Sequence, residues 1–244
     1  MKKQSLYAVI FTLSAGFSTL SYGDDFELGL YELNRGEFQA AMKEFEPLVA
    51  EGFAPAQYQV GLMYLNGNGV QKNTQKAFEL FSLAATRNYP DALFNLSLMY
   101  GDGVPVKKDL KAAFALMEKA AQKGLASAQY NLALMHYNGM GTKQDDLKAS
   151  IEYKKAANQN YPLAQFNLAL MYFEGRGVEK STKMSYVWNI VAAKNGYADA
   201  EKSLILDERK LSLEQTLKGR EQADAIHTKL IEQASLKARK ASRH

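Results

Sequence analysis

The chain has 244 residues, of which 47% are apolar, enough for one large or two small folded units with a buried core. It contains no cysteine, which removes disulfide staples and thiolate or zinc chemistry, and its three histidines show no pair at metal-ligand spacing on one helix face. Removing Lys2 and Lys3 with the leader described next leaves 28 basic against 26 acidic residues, a balance that favours neither nucleic acid nor a strongly anionic surface.

Residues 1–23 place two lysines ahead of an uncharged, mostly apolar run from Leu6 to Leu20, followed by Ser21 and Gly23. This spelling predicts a secretory signal cleaved before Asp24. The run is shorter than the roughly 20 residues a helix needs to cross a bilayer, and no cysteine is present for a lipid anchor. A periplasmic or secreted location follows as an expectation.

Residues 24–55 read as a helix pair turning near Asn34 to Gly36, a cap for what comes next. Beyond it the chain repeats itself. Alanines 56, 92, 128, 164 and 200 are spaced 36 residues apart, and other positions keep the same register. Two residues on stand Tyr58, Phe94, Tyr130 and Phe166; four on stand Val60, Leu96, Leu132 and Leu168; six on stand Leu62, Leu98, Leu134 and Leu170. Glycines 67, 103, 139 and 175 follow, then Gly69, Pro105, Gly141 and Gly177. Each unit predicts two helices, a first one apolar on most sides and a second, Thr74 to Thr86 in the first unit, that closes on an alanine pair. The units are set at 56–91, 92–127, 128–163 and 164–199.

Gly52, Asn88, Gly124, Asn160 and Gly196 recur where a helix must stop in left-handed backbone, and an apolar residue follows each time. That is the pattern of a Schellman stop, and it assigns Phe53, Tyr89, Leu125, Tyr161 and Tyr197 to packing. The glycine-spaced stretch "GLMYLNGNGV" resembles a phosphate cradle only in isolation. A phosphate loop needs a preceding strand and a glycine-lysine helix start, so these glycines are expected to form the hairpin between paired helices. After Ala200 the chain continues helically over 200–236, with Ser212 and Gln215 suggesting a capping box, and 237–244 is a basic tail.

The recurring Ala-x-aromatic-Asn-Leu-x-Leu-Met-Tyr, then Gly-x-Gly-Val, then Lys-Ala, resembles the Sel1-like repeat, a relative of the tetratricopeptide repeat, over residues 56 to about 200. Pro105, Thr142, Ser150 and His136 are local departures. The resemblance implies an all-α fold, a right-handed solenoid of antiparallel helix pairs, capped at its start by a tetratricopeptide-like unit over 24–55. It also implies a monomeric, non-enzymatic scaffold of the bacterial envelope with a protein or peptide partner and no nucleic acid. In such solenoids the first helices line the inside of the curve.

The polar strip left on those helices consists of Gln59, Asn95, Asn131 and Asn167, then Asn66, Asp102, Asn138 and Glu174, flanked by Met63, Met99, Met135 and Met171. Amides offer donors and acceptors to a peptide and methionines adapt to irregular side chains, so the strip is the candidate partner-binding surface. The same residues can equally pair with neighbouring repeats and fill gaps. His136 replaces a repeated tyrosine and Trp188 replaces a repeated leucine, which assigns both to packing. Asp145 and Asp146 stand at a helix start, where the dipole favours carboxylates. No catalytic, cofactor or metal set emerges. Some secreted relatives of this family are penicillin-binding proteins or weak β-lactamases, but they carry a cysteine pair in each repeat, which this chain lacks.

Overall fold

The computed structural model describes residues 11–241, with side chains over 23–240. The first ten residues of the expected leader lie outside the described residues, and from 11 to 22 only the backbone of the first helix is described. Every described element is an α-helix: α1 (Phe11–Asn34), α2 (Phe38–Ala50), α3 (Ala54–Asn66), α4 (Thr74–Thr86), α5 (Pro90–Asp102), α6 (Leu110–Gln122), α7 (Ala126–Asn138), α8 (Asp146–Ala157), α9 (Pro162–Glu174), α10 (Thr182–Lys194), α11 (Ala198–Glu208) and α12 (Leu213–Ala241). They form two compact units that divide between Lys108 and Asp109. In the first, α1 packs on α2, α3 on α4, and each pair on the next. In the second, α7 pairs with α8 and α9 with α10, α6 packs on α7, and α11 and α12 both pack on α10. The expected all-α class of successive helix pairs is what the chain adopts.

The helix stops follow from backbone chemistry. Gly52, Asn88, Gly124, Asn160 and Gly196 all have positive φ, between 57 and 88°. At the first, Phe53 N–H reaches Leu48 O at 2.9 Å and Gly52 N–H reaches Val49 O at 3.1 Å, the paired bonds of a Schellman stop. The same pair recurs at Tyr89 and Asn88, at Tyr161 and Asn160, and at Tyr197 and Gly196. The ring that follows three of these stops then folds back on the first helix of the preceding pair. Tyr89 lies 5.3 Å from Tyr58, Tyr161 lies 5.2 Å from Tyr130, and Tyr197 lies 4.9 Å from Phe166, centroid to centroid. These aromatics are packing residues.

Second helices start on side-chain caps. Asn73, Asp109, Asp145 and Ser181 each accept a backbone N–H of the first turn, which satisfies one of the donors a helix start leaves free. Three of the first helices start on proline instead, at Pro55, Pro90 and Pro162, where its missing N–H costs nothing.

The loop glycines have two separate reasons. Gly67, Gly103, Gly139 and Gly175 are the left-handed caps of α3, α5, α7 and α9. Gly141 and Gly177 also have positive φ, but a Cβ there would sit 1.9 Å from Leu110 O and 2.0 Å from Asp146 O. They bring the loop of one repeat onto the backbone at the start of the preceding second helix. Ser150 Oγ donates to Gly177 O across the same contact at 3.0 Å. In the second repeat the equivalent place is taken by Pro105, after a cis bond from Val104.

Buried amides add a second tie between repeats in the second unit. Gln165 is fully buried; its amide nitrogen donates to Ala157 O at 3.2 Å, and its oxygen accepts from Asn195 at 2.9 Å. One repeat earlier, Gln159 donates to Gln129 Oε1 at 2.8 Å. Each glutamine at the start of a first helix is therefore held by the amide 30 residues on. Replacing one leaves buried polar groups unpaired, at about 1–3 kcal/mol each.

Tyr153, Leu168, Met171 and Trp188 lie in the core of the second unit, and Phe45, Leu48 and Met63 in that of the first. The last helix opens on the expected capping box, Ser212 N–H to Gln215 Oε1 at 2.9 Å and Gln215 N–H to Ser212 Oγ at 3.2 Å. It buries Ala223 and Leu230 against the core and is pinned where Arg220 bonds both Tyr186 and Glu208. Of the basic end expected as a tail, the chain is helical to Ala241 and exposed over 237–240, and 242–244 lie outside the described residues.

Candidate partner-binding site

The polar strip divides into two kinds of residue. Asn66, Asp102, Asn138 and Glu174 are the last residues of α3, α5, α7 and α9 and stand exposed. Gln59, Asn95, Asn131 and Asn167 are half-buried. Their amides are partly occupied: Asn131 Nδ2 donates to Ser127 O at 2.8 Å, and Asn95 Nδ2 donates to Asp91 O at 3.0 Å and to the Tyr58 hydroxyl at 3.2 Å. Asn167 Nδ2 reaches the Tyr130 hydroxyl, one repeat back, at 3.4 Å. Burial pushes the Tyr58 and Tyr130 phenols above their usual range and the amide bonds pull the other way.

The methionines do not flank this strip at the surface. Met63, Met99, Met135 and Met171 are between 1 and 7% exposed, because seven residues past the alanine a helical side chain turns back toward the paired helix. The apolar residues that do reach solvent there stand one position earlier. Leu98 and Leu170 are both 39% exposed, and Leu62 and Leu134 are half-buried. With the strip they make a stripe at i, i+3 and i+7: Asn95, Leu98, Asp102 on α5 and Asn167, Leu170, Glu174 on α9. Periodicity alone assigns these leucines to the core, since the first helices carry apolar residues on most sides.

Asp102 and Glu174 have a further peculiarity. A carboxylate at a helix C-terminus opposes the macrodipole, at a cost of about 0.3–1 kcal/mol. These positions are poorly chosen for stability.

His136 is 5% exposed and stacks edge-on against Phe114 at 5.2 Å, as a packing residue should. It also floors a groove of about 360 Å³ between α6 and α8, and its Nδ1 is buried without a hydrogen-bond partner. Burial first, and Lys148 second, hold its pKa below the usual value, against the pull of Asp145, Glu152 and Glu118. Asp145 caps α8, whereas Asp146 binds Arg176 of the following repeat.

Among the described residues no group of three potential metal-binding side chains comes together, and no helix is long and apolar enough to cross a membrane.

The Sel1 repeat family model matches residues 54–89, 90–125, 126–161 and 162–197. Among curated proteins none matches the chain. The fold is similar to that of a protective antigen present in uropathogenic Escherichia coli strains and displaying an SLR fold, with 28% identity and a TM-score of 0.74. That match covers 86% of this chain, which spans only 45% of the antigen's length. It is also similar to a Sel1 repeat protein from Oxalobacter formigenes, with 25% identity, a TM-score of 0.72, and 83% and 82% of the two chains covered.

Proposed function

The chain belongs to the Sel1 repeat family, and from that premise we propose that it is a non-enzymatic scaffold that holds a protein or peptide partner on the exposed stripe of its first helices. Sel1 repeats are generally non-catalytic scaffolds that mediate protein interactions. The observation that carries the reading here is the stripe itself. Each of α5 and α9 presents a leucine 39% exposed between an amide and a carboxylate, in a helix whose other large apolar residues are mostly packed. An apolar anchor with polar groups on both sides is the arrangement of a recognition surface, and the acids at helix ends favour a partner with complementary positive charge.

The leader-like spelling of residues 1–23 supports a place in the periplasm or outside the cell, within an envelope complex. Fractionation of cells producing the full chain tests this: the mature form should be recovered outside the cytoplasm, beginning at Asp24.

Introducing a charge at both amides, Asn95→Lys with Asn131→Lys, or Leu98→Asp with Leu170→Asp, should abolish capture of the partner crosslinked in the native envelope while leaving the helical circular dichroism intact. Unchanged capture would remove the stripe from consideration. Hydrolysis of nitrocefin by the purified protein, well above a heat-killed control, would contradict the non-enzymatic part.

A further inference from the structure

At the end of the second unit, a cleft of about 110 Å³ lies between α9, α10 and α11. A single water needs only about 10–15 Å³ measured the same way, so the cleft admits several non-hydrogen atoms but not a folded group. Leu170 and Phe173 of α9 and Leu206 of α11 give it apolar walls.

The polar lining comes from the half-buried Ser203 and from three buried residues, Ser185, Asn189 and Asp207, between 1 and 3% exposed. Asp207 Oδ2 accepts from Ser185 Oγ at 3.0 Å and from Asn189 Nδ2 at 2.9 Å. Those bonds fix the amide's orientation, since turning it over would set its oxygen against the carboxylate. The outcome is that Asn189 Oδ1 is buried with no donor to meet it. Leaving a buried carbonyl unmet is costly, and no cation forms an ion pair with Asp207 among the described residues.

A group that complements this lining donates hydrogen bonds, adds to the Lys210 charge already acting on Asp207 and follows a narrow apolar path. Phe173 already meets an ammonium of the chain outside the cleft: that of Lys210 lies over its ring, 4.0 Å from the centroid.

We infer that this cleft is a subsite for a primary ammonium on an unbranched alkyl stem, the side chain of a lysine in the partner. The stem runs past Leu170 and Leu206 to the Asp207 carboxylate, which accepts from the ammonium, while the Asn189 amide beside it stays tied to the same carboxylate. A planar guanidinium, with five donors in a fixed fork, would leave most of them unmet between apolar walls. Burial raises the pKa of Asp207, and a cation at this point relieves that penalty. The inference deepens the proposed function and rests on it, because Leu170 belongs both to the cleft and to the stripe.

The test is a titration followed by the amide proton–nitrogen spectrum of the full chain, with Nα-acetyl-lysine methylamide and n-butylammonium chloride set against the norleucine analogue and n-butanol. The two amines should shift the Asn189 side-chain resonances saturably and the two neutral probes should not. Asp207→Asn should weaken amine binding about tenfold or more with unchanged circular dichroism. Lys210→Gln, which removes the ammonium over Phe173 and leaves the buried residues intact, should retain or tighten binding. Equal shifts from the neutral probes, equal binding of Nα-acetyl-arginine methylamide, or a folded Asp207→Asn protein that binds as tightly as the parent would each overturn the assignment. The amine-against-neutral comparison uses the unmodified protein and stands even if a variant fails to fold. Because the probes are small molecules, their failure would leave partner capture on the stripe unaffected, and loss of the stripe reading would leave a saturable amine signal in place.

Discussion

Arg176, in the loop between α9 and α10, holds Asp146 at the start of α8 with two bonds, Nη2 to Oδ1 at 2.7 Å and Nε to Oδ2 at 3.0 Å. The same guanidinium lies 3.8 Å over the Tyr137 ring and bonds its hydroxyl, so one side chain from the fourth repeat grips two helices of the third. Both partners are 30% exposed, which limits what the pair is worth. A double-mutant cycle of Arg176→Ala and Asp146→Ala, followed by urea unfolding, should give a coupling of about 1 kcal/mol. Arg176→Lys should lose most of it, because an ammonium cannot make the two-point contact. The bond to Arg176 lowers the Asp146 pKa, so this contribution should be present at neutral pH and fade as the carboxyl is protonated in acid, below its ordinary value of 3.8.

A glycine of the helix stops and one of the close-approach loops should respond differently to alanine. At Gly124 φ is +88° and a Cβ would meet nothing within 4 Å, so Gly124→Ala should cost only the left-handed backbone penalty, about 1 kcal/mol. At Gly177 φ is +64° and the Cβ would lie 2.0 Å from Asp146 O. Gly177→Ala should therefore cost clearly more, about 2–4 kcal/mol, as the loop is pushed off the preceding helix. Thermal unfolding of the two variants side by side decides the point; equal shifts would show that the second glycine serves only the turn.

His136 should give the second unit a measurable acid sensitivity. Its folded-state pKa is held below the ordinary 6.5, so the unfolded chain binds more protons as the pH falls through that range. The stability it contributes is complete above about pH 6.5 and is lost below it. Lys148 reinforces the effect, while Asp145, Glu152 and Glu118 oppose it. His136→Tyr, which restores the residue of the other repeats, should flatten the fall in unfolding midpoint between pH 7 and pH 5. A variant that keeps the slope of the parent would place the titration elsewhere.

Much of this architecture is legible in the sequence because its causes are local. A left-handed backbone admits few residue types, so the glycine and asparagine at 52, 88, 124, 160 and 196 announce the helix stops, and a period of 36 announces the repeats. Contacts between repeats are less visible. Nothing in the spelling of Gly177 or Gln165 says that one approaches the backbone of Asp146 and the other awaits Asn195, since both facts depend on how the hairpins stack. The candidate surface was half legible for the same reason. The amides at 59, 95, 131 and 167 and the residues at 66, 102, 138 and 174 are identifiable as polar positions on the first helices. That Met99 turns inward while Leu98 remains exposed is decided by one helical step of about 100°. Ser185 and Asn189 are polar where the earlier repeats have Ala77, Ala113 and Ala149, and Phe81, Met117 and Tyr153, but only the packing of α11 on α10 brings Asp207 to them.

The most direct measurement is site-specific photocrosslinking in the native envelope, with the reactive residue placed at Leu98 or Leu170 on the first helices, or at Leu83 or Ile151 on the second, all four being exposed. The account predicts that the two first-helix positions yield the same discrete partner by mass spectrometry and that the two second-helix positions do not. Crosslinks to that partner from Leu83 and Ile151, with none from Leu98 and Leu170, would contradict it.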